Sequence, residues 1–142
     1  MELLLDTGVL GQICHPRRYQ DVRLWCQRAA AVHEILIPEV ADYELRRELI
    51  RIGAQRSIDH LDELERELRY VPITTVIWRH AARLWALQRQ RGQPAAAPAS
   101  LDCDVLIAAQ ALADGATVVT LNQRHFADLV GCMAWQDVPL DA

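Results

Sequence analysis

Lysine is absent. All 15 basic residues of the 142-residue chain are arginines, set against 19 acids for a formal net charge of -4. A chain of that sign exerts no global attraction on nucleic acid, so contact with phosphate has to come from local patches. Arginine suits such patches because its planar fork matches two phosphate oxygens at once; a general compositional bias would leave the same trace. Paired cysteines are missing as well. Cys14, Cys26, Cys103 and Cys132 are scattered without a C-x-x-C spacing, which argues against a zinc site or a disulfide frame and suits reduced thiols in a cytoplasm. No apolar run approaches the ~18 residues of a bilayer-spanning helix, and no basic start with an apolar stretch behind it marks export. A cytoplasmic location with no membrane partner is therefore expected. What is present is the making of one ordinary domain over residues 1–142, with 51% hydrophobic and 24% charged residues and length enough for its own core.

Strand and helix signals alternate along the chain. Glu2–Asp6 reads as a strand, Tyr19–His33 as a helix with Val22, Trp25, Ala29 and Val32 on one stripe, and Glu34–Ile37 as a second strand. Pro38 opens a helix that runs to about Gly53. A helix over Ser57–Arg69 turns Ile58, Leu61, Leu64 and Leu68 inward, and Tyr70–Ile73 is a short strand. Thr75–Arg91 is helical with Ile77, Ala81, Leu84, Trp85 and Gln88 on one side. Arg91–Ser100, with two prolines and a glycine, reads as a loop, and Ser100 as the N-cap of a nearly uniform apolar helix, Leu101–Asp114, closed by Gly115. Thr117–Thr120 is a strand, a polar turn follows, and "CMAWQDV" reads as an edge strand. Strands that are apolar throughout and alternate with helices predict a three-layer α/β/α domain around a mainly parallel sheet. Ligands of such sheets bind beyond the carboxyl ends of the strands.

Asp6 closes the first strand in "LLLDTG". An apolar run ending on Asp-Thr-Gly is also the pattern of an aspartic-protease loop. That loop belongs to a glycine-rich all-β chain and needs a second aspartate to share its proton; six glycines among long helices do not fit it. A second acid, Glu44 in "EVADYELRREL", falls between an apolar stripe of Ala41, Leu45, Leu49 and Ile52 and another of Val40, Tyr43 and Ile50. An isolated glutamate there is ordinarily a surface residue. Asp102 and Asp104 in "SLDCDVLIAAQAL" sit in the expected first helical turn, where capping and the helix dipole explain a carboxylate by themselves. Thr120 and Asn122 in "TLNQRHF" can hydrogen-bond a carboxylate or simply form a turn, and His125 can act as ligand or base or pack beside Phe126. Taken together, Asp6, Glu44 and Asp104 lie on elements that converge at one sheet edge. Three neighbouring carboxylates repel unless a cation lies among them, and an oxygen-only donor set selects a hard ion, Mg²⁺ or Mn²⁺.

In order and spacing, "LLLDTGVL", "EVADYELRREL" and "DVLIAAQALADGATVVTLNQRHF" resemble the PIN-domain ribonucleases, and in particular the VapC-type toxins of bacterial toxin–antitoxin pairs. The resemblance spans essentially the whole chain, and its C-terminal block is the most specific part. It implies a metal-dependent hydrolysis of RNA with Asp6, Glu44 and Asp104 as the metal-binding catalytic acids. Thr7, Asp102, Thr120, Asn122 and His125 support the site, and Arg46, Arg47 and Arg124 are candidates to guide RNA phosphates. It further implies a homodimer and an antitoxin protein that blocks the cleft and itself binds DNA. Two departures stand out. Gly8 replaces a frequent asparagine or serine, and His125 stands where many members carry a fourth acid, which bears on a second metal ion and on the level of activity. The rival from another class is a PIN-like module that binds RNA or a protein without cutting. A phosphohydrolase forming an aspartyl-phosphate on Asp6 is disfavoured, since Gly8 occupies the place where that chemistry wants another acid.

Overall fold

The computed structural model describes residues 1–92 and 98–141. Five strands, β1 (Glu2–Leu5), β2 (Glu34–Pro38), β3 (Arg69–Val71), β4 (Thr117–Val119) and β5 (Cys132–Met133), form one sheet in the order β3-β2-β1-β4-β5. Each neighbouring pair is parallel, with Leu4 level with Leu36 on one side and with Val118 on the other. The connections carry α1 (Thr7–Cys14), α2 (Gln20–Val32), α3 (Glu39–Arg51), α4 (Gln55–Glu67), α5 (Thr75–Gln90) and α6 (Pro98–Asp114).

The sheet has a core on each face, which is why its strands lack polar alternation. Leu3 and Leu5 point to one side with Ile35, Ile37 and Val119, and α1, α2 and α4 cover them. Leu4, Leu36 and Val118 point to the other, under α5 and α6. Leu3, Leu4 and Leu5 are fully buried, each stabilising the fold by roughly 1.5–3 kcal/mol. α3 serves both cores: Val40 enters the second, while Ala41, Leu45 and Leu49 enter the first. It therefore passes the carboxyl edge of the sheet. Gln110, fully buried on α6, ties the layers by donating to the Val71 carbonyl at 2.7 Å and accepting from the Val40 N–H at 3.4 Å.

The three-layer parallel architecture is the one the sequence predicts, with local corrections. α1 was not anticipated. Eight residues with two glycines have little helical tendency of their own, and tertiary burial of Val9, Leu10, Ile13 and Cys14 holds them. Gly11 packs closely there: a Cβ would lie 3.3 Å from the Leu45 Cδ1 on α3, so that side chain would have to shift by a few tenths of an ångström to admit one. The expected strand Tyr70–Ile73 is Arg69–Val71, and the edge strand shortens to two residues before a 3₁₀ turn at Trp135–Asp137. α6 starts at Pro98, so Ser100 lies inside the helix and does not cap it; of the expected loop over Arg91–Ser100, residues 93–97 lie outside the described residues. Ile52, Tyr43, Ile50, Val32 and Trp85, placed on buried stripes by periodicity, are exposed.

Candidate active site

From β1 the chain builds outward through β2 to β3, then returns to the far side of β1 with β4 and β5. The switch point lies between β1 and β4, where parallel sheets present a crevice beyond their carboxyl ends. Asp6 leaves β1 at that point. Its N–H donates to the Val119 carbonyl at 3.0 Å. Its carboxylate caps α1, accepting from the Thr7 N–H at 2.7 Å through Oδ1 and from the Thr120 hydroxyl at 2.7 Å through Oδ2. Thr120, the buried residue after β4, in turn accepts from the Asn122 N–H at 3.0 Å. Burial raises the Asp6 pKa above the ordinary carboxylate value; the two hydrogen bonds oppose that shift and the charge of Glu44 adds to it.

Glu44 reaches the same edge because α3 begins directly after β2. Glu39 fixes that start, accepting from the Ile73 N–H at 2.9 Å and from the Tyr70 hydroxyl at 3.1 Å. Half-buried Glu44 lies beside the Cys103 thiol of α6, which burial and this carboxylate push up to about 12. Asp104, one residue on and only 9% exposed, is raised to about 7 by burial, with repulsion from Asp6 and Glu44 adding to it. The charges of all three acids thus act on one another. His125 closes the group from the single-turn 3₁₀ helix Gln123–His125. Its Nδ1 lies 3.3 Å from Asp104 Oδ2, and its Nε2 lies 3.0 Å from the Asn122 amide nitrogen. The Asp104 contact lacks hydrogen-bond geometry, so the buried Oδ2 has no hydrogen-bond partner; nor has the buried Thr7 hydroxyl.

Among the described residues no three His, Cys, Asp or Glu side chains are gathered as a finished metal cage. The reason is visible in their partners: Asp6 turns to Thr120 and Thr7, Glu44 to Cys103, Asp104 to His125.

Other expected residues are placed differently from one another. Asp102 and Asp104 stand in the second turn of α6, not the first, which removes capping as their explanation. Asp102 is exposed and lines a groove leading away from the acids. His125 meets Asp104, a pairing that its neighbour Phe126 concealed in the sequence. Arg46 is held by Asp42, Asp62 and Glu65 at 2.8, 2.8 and 3.2 Å. Arg47 lies over the Tyr43 ring at 4.9 Å, and Arg124 is exposed on the 3₁₀ turn. The sequence does not single out Cys103; its place between Asp102 and Asp104 in the chain is the available signal.

Fold and site define a doubly covered parallel α/β domain with an acidic cluster at its topological switch. The PIN domain model matches residues 3–131, and the chain belongs to that family. No curated relative matches it. Among solved structures it is similar to VapBC2 from Rickettsia felis bound to a DNA fragment from their promoter, at 20% identity and TM-score 0.79 over 95% of this chain and 99% of that one. DNA-bound VapBC from Salmonella typhimurium gives 20% and 0.77 over 95% and 98%, and FitAcB from Neisseria gonorrhoeae 20% and 0.70 over 96% and 99%. At such identities the likeness shows the fold.

Proposed function

We propose that this PIN domain is a VapC-type toxin that hydrolyses RNA phosphodiester bonds, with Asp6, Glu44 and Asp104 holding Mg²⁺ or Mn²⁺. One observation carries the reading: carboxylates from positions 6, 44 and 104 approach one another at the sheet's switch point, Glu44 raising the cost of ionising Asp6 and both raising that of Asp104. The donor chemistry, though not a gathered arrangement of the side chains, suits a hard divalent cation. The three acids offer oxygen, their repulsion calls for a counter-charge, and two buried oxygens, Asp104 Oδ2 and Thr7 Oγ1, lack hydrogen-bond partners. When bound, such an ion would activate water and stabilise the negative charge that develops on the phosphate oxygens during in-line attack. The chain's own part is orientation. The relay from the Asn122 N–H through the Thr120 hydroxyl fixes one oxygen of Asp6, while the Thr7 N–H fixes the other. His125 lies beside Asp104, with Nδ1 3.3 Å from Oδ2.

The similarity to VapBC complexes supports a protein antitoxin that covers the crevice, and a homodimer belongs to the same reading. No described helix is long and apolar enough to cross a membrane, and we assign the protein to the cytoplasm. The test is cleavage of structured RNA with and without Mg²⁺ by the wild type and by Asp6→Asn. The variant is expected to lose about 100-fold or more in rate, the scale of removing a preorganised charge-stabilising group. Equal cleavage by both proteins removes the reading. The His125–Asp104 contact favours one alternative, a PIN module that binds RNA without turnover, because a protonated imidazole would replace the cation at that carboxylate. It predicts RNA binding that Asp104→Asn leaves intact and no Mg²⁺-dependent cleavage.

A further inference from the structure

The stretch "HPRRY", His15–Tyr19, joins α1 to α2. Pro16 disfavours helix at the residue before it, and His15 leaves α1 as its C-cap in extended backbone, with φ -64° and ψ 133°. The half-buried imidazole then folds over the chain that follows: Nδ1 accepts from the Arg18 N–H at 2.9 Å and from the Arg17 N–H at 3.1 Å. The loop closes on Tyr19, whose φ of 61° is left-handed. A bulky side chain holds that conformation only where its neighbours over-determine it. One such neighbour is His15 itself, edge-on to the Tyr19 ring with centres 5.5 Å apart. Arg23 on α2 makes the other tie. Its guanidinium donates to the His15 carbonyl at 2.6 Å and to the Arg18 carbonyl.

An imidazole nitrogen accepts a hydrogen bond only while it carries no proton. With Nδ1 serving two N–H groups, the His15 ring is neutral and its one proton sits on Nε2. Histidine is also the side chain that ordinarily changes charge between about pH 5 and 8. Protonation makes Nδ1 a donor and leaves the Arg17 and Arg18 N–H groups without their acceptor. It also adds positive charge to a segment that already holds Arg17, Arg18 and Arg23. We propose that the α1–α2 loop is a pH-operated latch, closed by neutral His15 and released when the ring takes up a proton. Release frees Arg23 from its two carbonyls and lets Tyr19 relax to an ordinary φ. From α1 the facing group is the Cys14 thiol, which burial pushes up to about 12 and so keeps neutral. From α4 they are His60, Glu63 and Glu67, which line a groove with Cys14 and Arg23. His60 does not supply the switch, because its Nδ1 donates to the Cys14 carbonyl at 3.1 Å and a donor survives protonation. The latch uses none of the acids at the sheet's switch point, so it stands apart from the nuclease reading.

Solution NMR reads the latch directly. At about pH 7.5 the His15 ring is expected to show the nitrogen shifts of the Nε2-protonated tautomer. Protection of the Arg17 and Arg18 amides from water exchange, corrected for the intrinsic rate at each pH, is expected to fall about tenfold or more on going to about pH 5, in step with titration of that ring. In His15→Asn the side-chain oxygen takes the place of Nδ1 and does not titrate, so protection stays within about twofold across the same range. His15→Phe keeps an aromatic ring against Tyr19 but has no acceptor, and its protection is expected to be low at both pH values. His60→Gln should follow the wild type. Thermal melts check that each variant folds. A neutral ring with its proton on Nδ1, wild-type protection that ignores the titration, or a fall in His15→Asn equal to that of the wild type overturns the proposal. So does a fall shared equally by the β1 and β4 amides, which assigns the change to the fold as a whole.

Discussion

Asp104 carries a charge that its own surroundings oppose. Its pKa is about 7 in the folded protein against an ordinary 3.8. Between those values the folded protein holds a proton that the unfolded chain has released. Stability therefore declines as pH rises through this window, and the loss is complete above about pH 7. In EDTA, Asp104→Asn is expected to melt at the wild-type temperature near pH 4. At pH 8 it should melt a few degrees higher, the size of roughly 1 kcal/mol in a domain of this length. Addition of Mg²⁺ or Mn²⁺ should raise the wild-type melting temperature at pH 8, do so less at pH 5, and leave Asp104→Asn unchanged, since only ionised carboxylates bind the metal. A variant that tracks the wild type at every pH and metal concentration would show that this charge is not the one being opposed. Asp6 differs in being held by two hydrogen bonds, which set its geometry.

α3 is the element that brings Glu44 close enough to act on Asp6 and Asp104. It starts one residue after β2, contributes to both cores and carries Glu44 past the sheet edge. Its angle is fixed against α4 by Arg46, one nitrogen of which serves Asp42, Asp62 and Glu65. Three carboxylates on one guanidinium leave excess negative charge. Burial, with Asp42 beside it, accordingly raises Glu65 to about 7. A raised carboxyl contributes less stability as pH climbs from its ordinary 4.5 toward 7. Arg46→Met should cost about 1–2 kcal/mol in urea unfolding at pH 8, between the surface and buried limits for breaking an ion pair. The cost should shrink at pH 5, where Glu65 keeps its proton; equal losses at both pH values would contradict this account. The same engagement explains why Arg46, attractive in the sequence as a phosphate guide, faces carboxylates in the fold.

For the whole molecule, strand order matters more than any single contact. Because β4 returns to the open side of β1, residues 6 and 120, far apart in the chain, end side by side and share a hydrogen bond. The toxin reading has consequences at this scale. Induced expression in bacterial cells is expected to arrest growth, and Asp6→Asn to relieve the arrest fully. Purified protein is expected to run in light scattering at twice the 16.1 kDa chain mass. Growth arrest by the Asp6→Asn protein equal to that by the wild type would separate toxicity from the acidic site and remove the assignment.

Composition and apolar patterning alone determined the layered parallel fold. A strand buried on both faces must be apolar at every position, and Leu3–Leu5, Ile35–Ile37 and Val118–Val119 are. The same logic placed Asp6 at a strand end, because the pattern stops there. Only the tertiary structure decided which polar groups meet. That Asp104 faces His125, that Thr120 donates to Asp6, that Arg46 is taken up by acids of α4 and that α1 is helical at all depend on packing between segments 16 to 114 residues apart. Local propensity and periodicity reach over a few turns. Coulombic and hydrogen-bond partners are chosen by the geometry of the assembled sheet and the helices packed on it.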